Sequence, residues 1–251
     1  MKNQYVGDIG DYGKYSLLRA FVRTGVSVGV NWYLTRNNGS NDGKFTEYLK
    51  NKEEYRRYDP EVFDALKKIA SKKRKTVLDI QNSGILPGVV YYSTELGPVG
   101  KPSERMEHRL VWFEESMDVL KGTDLIFMDP DNGLLESNDG TKLGAEKYVL
   151  PDEVKRYFNA GHNVGYYCHK GRRTIDQWFN YKSVMFDMVP EAKPAILTYH
   201  KGTQRSYVFL IHEEDFVKCR EIIDHMKQQW FQIFTEEFTN LGDTASRASE
   251  R

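Results

Sequence analysis

A short acidic motif directly follows the most apolar strand-like segment of the chain. Residues 125–128 are Leu-Ile-Phe-Met, and Asp129, Pro130, Asp131 and Asn132 come immediately after them. Such an apolar run is typical of a central parallel strand that is covered on both faces. Polar side chains at the end of a buried strand are costly unless they bind or react with something. We therefore expect the reactive centre here, with an Asx-rich turn that merely ends the strand as the alternative.

Two histidines occupy the ends of other predicted strands. His169 follows the predicted strand at 163–168, and His200 precedes a predicted hairpin. Histidine can transfer protons near neutral pH, so both are candidate catalytic residues, although a structural hydrogen-bonding role is equally compatible. Arg172 and Arg173 follow His169 closely and could hold a phosphate or an RNA backbone, or could be a solvated charge pair.

The loop after the first predicted strand is rich in glycine and asparagine. Its backbone could approach an adenosyl or nucleotide group, but the spacing G-x-G-x-x-G is missing and a simple mobile loop is the alternative. An acidic residue also lies near the next predicted strand, at 76–80. The candidate cofactor-binding residues are Thr35, Asn38, Gly39, Asp42, Gly43 and Asp79.

The amino-terminal segment at 7–15 combines three glycines, two aspartates and a lysine. This composition predicts a shaped loop that leads into the first helix, and such a loop could form a lid over the site. Asp11 and Lys14 are then candidate substrate-binding residues, together with Pro130, Arg172 and Arg173. In the alternative interpretation, Asp11 only caps the first helix.

Alternating helix and strand patterns must position these residues. The order predicts a Rossmann-like α/β fold, with a doubly wound, mostly parallel sheet and a C-terminal antiparallel hairpin strand. Ligands of such sheets bind beyond the carboxyl ends of the strands. The predicted strands lie at 26–34, 76–80, 89–93, 125–128, 163–168, 194–199 and 205–211, and the predicted helices at 12–24, 44–51, 60–71, 103–120, 152–159, 174–181 and 213–234.

Length and composition narrow the class of protein. The 251 residues include 36 basic and 36 acidic side chains, which argues against a histone-like nucleic-acid binder but allows a local basic groove. Two cysteines cannot build a disulfide framework, and neither a membrane span nor a secretory signal is evident. We expect a cytoplasmic protein without membrane contact, with one domain at 1–240 and a disordered tail at 241–251.

Two of these motifs resemble a known family. The segment at 7–15 is similar to the Gly-Asn-x-x-Asp-Val-x-Lys-His opening of the ribosomal-RNA adenine N6-methyltransferases, and residues 129–132 occupy the place of their Asp-Pro-Pro-Tyr motif. The resemblance implies an S-adenosylmethionine cofactor and a nucleic-acid or nucleotide substrate, with Asp129 accepting a hydrogen bond from the target amine. In this chain Asp131 replaces the second proline and Asn132 replaces the aromatic residue.

Two other functions start from the same residues. The apolar run with Asp129 and Asp131 is also similar to the opening motif of the haloacid-dehalogenase-like phosphohydrolases, which implies a nucleophile, a general acid/base and a magnesium ion. A more general Mg²⁺- or Mn²⁺-dependent hydrolase or nuclease could use His169 or His200 beside them. The third possibility is a non-catalytic, nucleotide-sensing module of phage or defence origin.

Overall fold

The fold is that of a computed structural model, which describes residues 1–40, 43, 45–98 and 100–237. The expected tail at 241–251, the last residues of the expected domain and Asp42 lie outside the described residues. Within that part of the chain, no helix is both long and apolar enough to cross a bilayer.

Helices and strands alternate along most of the chain. The helices are α1 (Ile9–Arg23), α2 (Lys52–Tyr55), α3 (Pro60–Ala70), α4 (Val77–Gln81), α5 (Pro102–Leu120), α6 (Pro151–Asn159), α7 (Ile175–Met188) and α8 (Phe216–Gln229). The strands are β1 (Val28–Asn31), β2 (Val90–Tyr92), β3 (Leu125–Met128), β4 (Gly133–Leu134), β5 (Tyr148–Val149), β6 (Asn163–His169), β7 (Lys193–Tyr199), β8 (Arg205–Ile211) and β9 (Phe234–Glu237).

Seven strands form one mixed sheet in the order β2-β1-β3-β6-β8-β7-β9. Strands β2, β1, β3 and β6 are parallel to one another. Strand β8 pairs with both β6 and β7 and therefore lies between two strands that precede it in the chain. It is antiparallel to both of them. The prediction of a Rossmann-like, mostly parallel sheet with a C-terminal antiparallel hairpin strand is thus confirmed.

The central strand β3 is buried on both faces, as its continuous apolar run predicts. Leu125 and Phe127 belong to one hydrophobic cluster, which also contains side chains of α1, α3 and α8. Ile126 and Met128 belong to the second cluster, which contains side chains of α5, α6 and α7. Because successive side chains point to opposite faces of a strand, this alternation joins the two helical layers through β3.

The predicted strand at 76–80 is wrong, because residues 77–81 form helix α4. Thr76 and Asp79 occupy the two positions of a capping box: the Asp79 carboxylate accepts hydrogen bonds from the backbone N–H of Thr76 at 2.7 Å and from its hydroxyl at 3.3 Å. The β-branched residues Thr76, Val77 and Ile80 favour a strand locally. The capping hydrogen bonds and the burial of Val77 and Ile80 outweigh that preference here. Asp79 therefore does not follow a strand.

The predicted lid at 7–15 and the predicted extent of the last helix are both wrong. The segment at 7–15 is not a lid, because helix α1 begins at Ile9; Asp8 rather than Asp11 is its N-cap and accepts a hydrogen bond from the Gly10 amide. The predicted helix at 213–234 ends at Gln229, after which β9 pairs with β7. The backbone turns between them at Gln232, whose φ is 64°.

Candidate functional site

A pocket of about 360 Å³ opens at the carboxyl ends of β3 and β6. Because β8 runs antiparallel to β6, the first residues of β8 lie at the same edge of the sheet. The opening turns of α1, the chain around Phe45 and the amino-terminal residues complete the pocket. This is the edge at which open α/β sheets bind their ligands.

Asp129 lies at the end of the central strand and is only 3% exposed. Its Oδ2 accepts a hydrogen bond from Nζ of Lys14 at 2.7 Å. Its Oδ1 makes no hydrogen bond to any residue that the structure describes. Burial raises the pKa of Asp129, and the Lys14 ammonium opposes this rise. Asp129 thus presents an oriented carboxylate with one oxygen left to accept a hydrogen bond from a ligand.

Lys14 holds two carboxylates together inside the pocket. Its Nζ lies 2.8 Å from Oδ1 of Asp11, three residues earlier on α1, and 2.7 Å from Oδ2 of Asp129. Burial by itself lowers the pKa of Lys14, but the charges of Asp11 and Asp129 outweigh it and raise that pKa. The other carboxylate oxygen of Asp11 accepts a hydrogen bond from the Gly7 amide at 2.9 Å. Lys14 is therefore a fixed cation and a donor that orients Asp129.

Asp131 anchors the amino-terminal segment. Its carboxylate pairs with Lys2, lies 2.9 Å from the amino group of Met1 and accepts a hydrogen bond from Thr35 at 2.9 Å. Burial would raise the pKa of Asp131, but the Met1 and Lys2 cations outweigh burial and lower it. The Met1 nitrogen also donates to the carbonyl oxygen of Asp129 at 3.0 Å. Asp131 is thus ionised and engaged with the protein's own cations.

Arg205, the first residue of β8, brings a guanidinium group into the pocket. Its Nε donates to the carbonyl oxygen of Thr203 at 2.9 Å, and its Nη1 lies 3.5 Å from Oδ1 of Asp8. A Cβ atom on Gly10 would lie 1.2 Å from Nη1, so only glycine leaves room for this side chain. Arg205 therefore rests directly against the first turn of α1.

Aromatic rings form much of the remaining wall. Tyr5, Phe45, Tyr167 and Tyr207 line the pocket. Burial raises the pKa of Tyr167 to about 12, so its hydroxyl stays protonated. The Tyr167 hydroxyl lies 3.5 Å from Nδ1 of His169, at the rim. Burial, together with nearby arginines, lowers the pKa of His169, which leaves its ring neutral at pH 7. Flat rings beside a carboxylate suit a planar, amine-bearing group.

The structure brings most of the predicted reactive and substrate residues into one place. Thr35 adjoins this group through its hydrogen bond to Asp131. The predicted residues that line the pocket are Asp11, Lys14, Gly43, Asp129, Pro130, Asp131, Asn132 and His169.

Several predicted residues lie away from the pocket. His200 bonds to Thr235 on the edge strand, with 2.6 Å between Nε2 and Oγ1. Asn38 and Gly39 are exposed, and Asp79 is engaged with Thr76 and Lys72.

The two predicted arginines also lie outside the pocket lining. Arg172 is exposed. Arg173 donates to the carbonyl oxygen of His169 and stacks on Tyr181, with 3.7 Å from its Cζ to the ring centroid. A clamp made by this pair is therefore not part of the pocket wall.

Sequence reasoning missed two charged residues of the pocket, Asp8 and Arg205. Asp8 carried a recognisable signal, because aspartate is among the residue types preferred as the N-cap of a helix. Arg205 begins a strand that is otherwise uncharged, and nothing local indicates that its side chain turns back towards α1.

The acidic groups do not form a cation site by themselves. Among the described residues, no group of three or more His, Cys, Asp or Glu side chains is arranged to hold a metal ion. Asp129 and Asp131 are each paired with ammonium groups. A divalent cation would have to displace these internal cations.

The fold and the site define a Rossmann-like α/β protein with a charged, aromatic pocket at the carboxyl edge of its sheet. Comparison of the sequence with protein-family models and with curated proteins gives no match.

Proposed function

We propose that the protein is a methyltransferase-like enzyme that uses S-adenosylmethionine and acts on an amine of a nucleotide or nucleic-acid base. The observation that carries this proposal is Asp129. A buried carboxylate at the carboxyl end of the central parallel strand is oriented through one oxygen by Lys14 and keeps the other available. A planar amine can donate to that oxygen while its ring lies against the aromatic wall.

Asp129 would position the amine and accept its hydrogen bond. Because burial raises the pKa of Asp129, the carboxylate is a stronger proton acceptor than an exposed aspartate. Lys14 would keep the carboxylate in one orientation, since Asp11 holds the ammonium from the other side. Because Lys14 and Asp129 are both buried, their interaction is stronger than it would be in water.

The pocket residues fit the chemistry of the cofactor. The carboxylates of Asp8 and Asp11 would face its cationic groups, and the rings of Tyr5 and Phe45 would hold its adenine and sulfonium. When bound, S-adenosylmethionine supplies an electrophilic methyl group. Of the residues expected in the loop at 35–43, Gly43 belongs to this pocket wall.

Calorimetric titration tests the proposal. The wild-type chain and Asp129→Asn are titrated with S-adenosylmethionine and S-adenosylhomocysteine, and methyl transfer to adenine- and cytosine-containing RNA and nucleotides is then measured. We expect low-micromolar cofactor binding, about −8 kcal/mol. We expect the variant to lose methyl transfer by about 10²–10⁴-fold, the usual size of a proton-transfer contribution.

Asp64→Asn is the matched control, because Asp64 is an exposed carboxylate paired with Arg56. It should leave binding and transfer unchanged. A parallel titration with Mg²⁺ or Mn²⁺ tests the hydrolase alternative: metal binding that Asp129→Asn abolishes, without cofactor binding, overturns the methyltransferase proposal. Tight nucleotide binding without cofactor binding favours the sensing module instead.

A further inference from the structure

We propose that Arg205 forms an oxyanion subsite in the pocket, which takes the carboxylate or phosphate end of a ligand whose other end carries an amine. The subsite stands on its own geometry. Only the identity of the ligand rests on the proposed function.

The guanidinium of Arg205 has N–H groups that donate no hydrogen bond within the described part of the chain. The residue is only 8% exposed, and its Nη2 makes no hydrogen bond to any residue that the structure describes. A buried guanidinium needs partners for its charge and its five donors. The carbonyl oxygen of Thr203 satisfies Nε but brings no charge.

Asp8 compensates this charge only loosely. Its Oδ1 lies 3.5 Å from Nη1 of Arg205, which is long for a charge-assisted hydrogen bond. The Asp8 carboxylate already accepts from the Gly10 amide at 2.9 Å and from the Phe45 amide at 3.1 Å. An oxyanion in the pocket would complete the guanidinium's hydrogen bonding without removing the cap of α1.

The position of Arg205 is built into the fold. The missing side chain of Gly10 admits the guanidinium against α1. Pairing of β8 with β6 places Arg205 directly opposite His169, beside the pocket. Asp129 lines the same pocket, and its Oδ1, which accepts no hydrogen bond from the described residues, would accept one from a donor such as an amine. The pocket therefore matches a ligand with an oxyanion at one end and a hydrogen-bond donor at the other.

Both the cofactor and a nucleotide substrate have this chemistry. The cofactor carries a carboxylate on its methionine moiety, and a nucleotide carries a phosphate and an amine-bearing base. Two matched pairs of probes distinguish the sources. S-adenosylmethionine is compared with decarboxylated S-adenosylmethionine, and adenosine 5′-monophosphate with adenosine, by calorimetry.

We expect the anionic member of one pair to bind the wild-type chain at least about tenfold more tightly, because its oxyanion makes a charged hydrogen bond to the guanidinium that the other member cannot make. In Arg205→Gln that preference should disappear. Arg205→Lys should restore part of it, because lysine keeps the positive charge but lacks the paired N–H donors of a guanidinium. Arg36→Gln makes the same charge change at an exposed site and should preserve the preference.

The outcomes separate the two proposals. Arg205-dependent binding of the monophosphate without any cofactor binding supports the subsite and overturns the methyl-transfer proposal. Cofactor binding together with methyl transfer that Asp129→Asn impairs, but with an unchanged preference for the anionic probe in Arg205→Gln, overturns the subsite alone. Failure of every probe, inorganic phosphate included, to show Arg205-dependent binding also overturns it.

A second variant covers the case in which Arg205→Gln does not fold. Gly10→Ala leaves the arginine in place but puts a methyl group where Nη1 lies. It should reduce the preference for the anionic probe while binding of adenosine stays within a few-fold of wild type. An undiminished preference in a folded Gly10→Ala protein overturns the subsite.

Discussion

Nζ of Lys14 and Oδ2 of Asp129 lie 2.7 Å apart, although 115 residues separate them in the chain. The contact joins the first helix to the end of the central strand, and both residues are buried. Removing one partner of a buried ion pair costs much more than the pair's net contribution, because the other charge is left without compensation. Lys14 has two such partners, since Asp11 also lies within 2.8 Å.

We expect Lys14→Met to lower the free energy of unfolding by about 3–5 kcal/mol, because two buried carboxylates lose their cation. Urea unfolding at pH 7 measures this loss. Lys50→Met removes an exposed pair with Glu47 and should cost less than about 1 kcal/mol. Similar values for the two variants would show that the Lys14 contacts contribute little to stability.

Asp131 should stabilise the fold in a pH-dependent manner. Its pKa is lowered from the ordinary value of 3.8, so it contributes stability above pH 3.8 that is lost as the pH falls through its folded-state pKa. We expect the difference in unfolding free energy between wild type and Asp131→Asn to shrink below about pH 4. Urea titrations from pH 6 to about pH 2 check it. A difference that stays constant would contradict the ion-paired state of Asp131.

Asp129 should change the free energy of unfolding with pH in the opposite direction. Its pKa is raised above 3.8, so the folded state binds the proton more tightly and the penalty for ionising Asp129 appears as the pH rises above 3.8. Relative to Asp129→Asn, wild type should therefore gain stability as the pH falls through that pKa. The same urea titrations measure it. A relative loss over this range would show that Lys14 outweighs burial.

Gly10→Ala should destabilise the protein. Alanine would gain about 1 kcal/mol in an exposed helix, but here its Cβ would overlap Nη1 of Arg205. We expect a net loss of about 1–3 kcal/mol, as is usual for overpacking, measured by urea unfolding. Gly97→Ala is the control, since its Cβ would meet nothing closer than 4.0 Å. A stabilised Gly10→Ala protein would mean that the guanidinium lies elsewhere.

Both cysteines should be unreactive in the folded protein. Burial raises the pKa of Cys168 to about 12 and that of Cys219 to about 11, so little thiolate forms at pH 8. We expect thiol labelling to be slow without denaturant and to reach two thiols per chain in urea. Rapid labelling of the native protein would show that one of these segments opens readily.

Local signals were sufficient for several elements. Strand β8 runs from Arg205 to Ile211 as predicted, and Asp59 caps α3, with Pro60 in its first turn. An uninterrupted apolar or β-branched run, an N-cap and a proline act within a few residues, so they can be interpreted without the fold. The segment at 76–80 shows the limit of this approach, because its capping box opposed its strand propensity.

By itself, the sequence determined the alternating α/β order, the buried central strand and the acidic motif that ends it. Only the tertiary structure decided that Lys14 orients Asp129, that Asp131 holds the amino-terminal segment and that Arg205 reaches the same pocket. The Arg205–Asp8 contact spans 197 residues. Charge pairing across such distances depends on strand order and helix placement, because the residue types alone allow many possible partners.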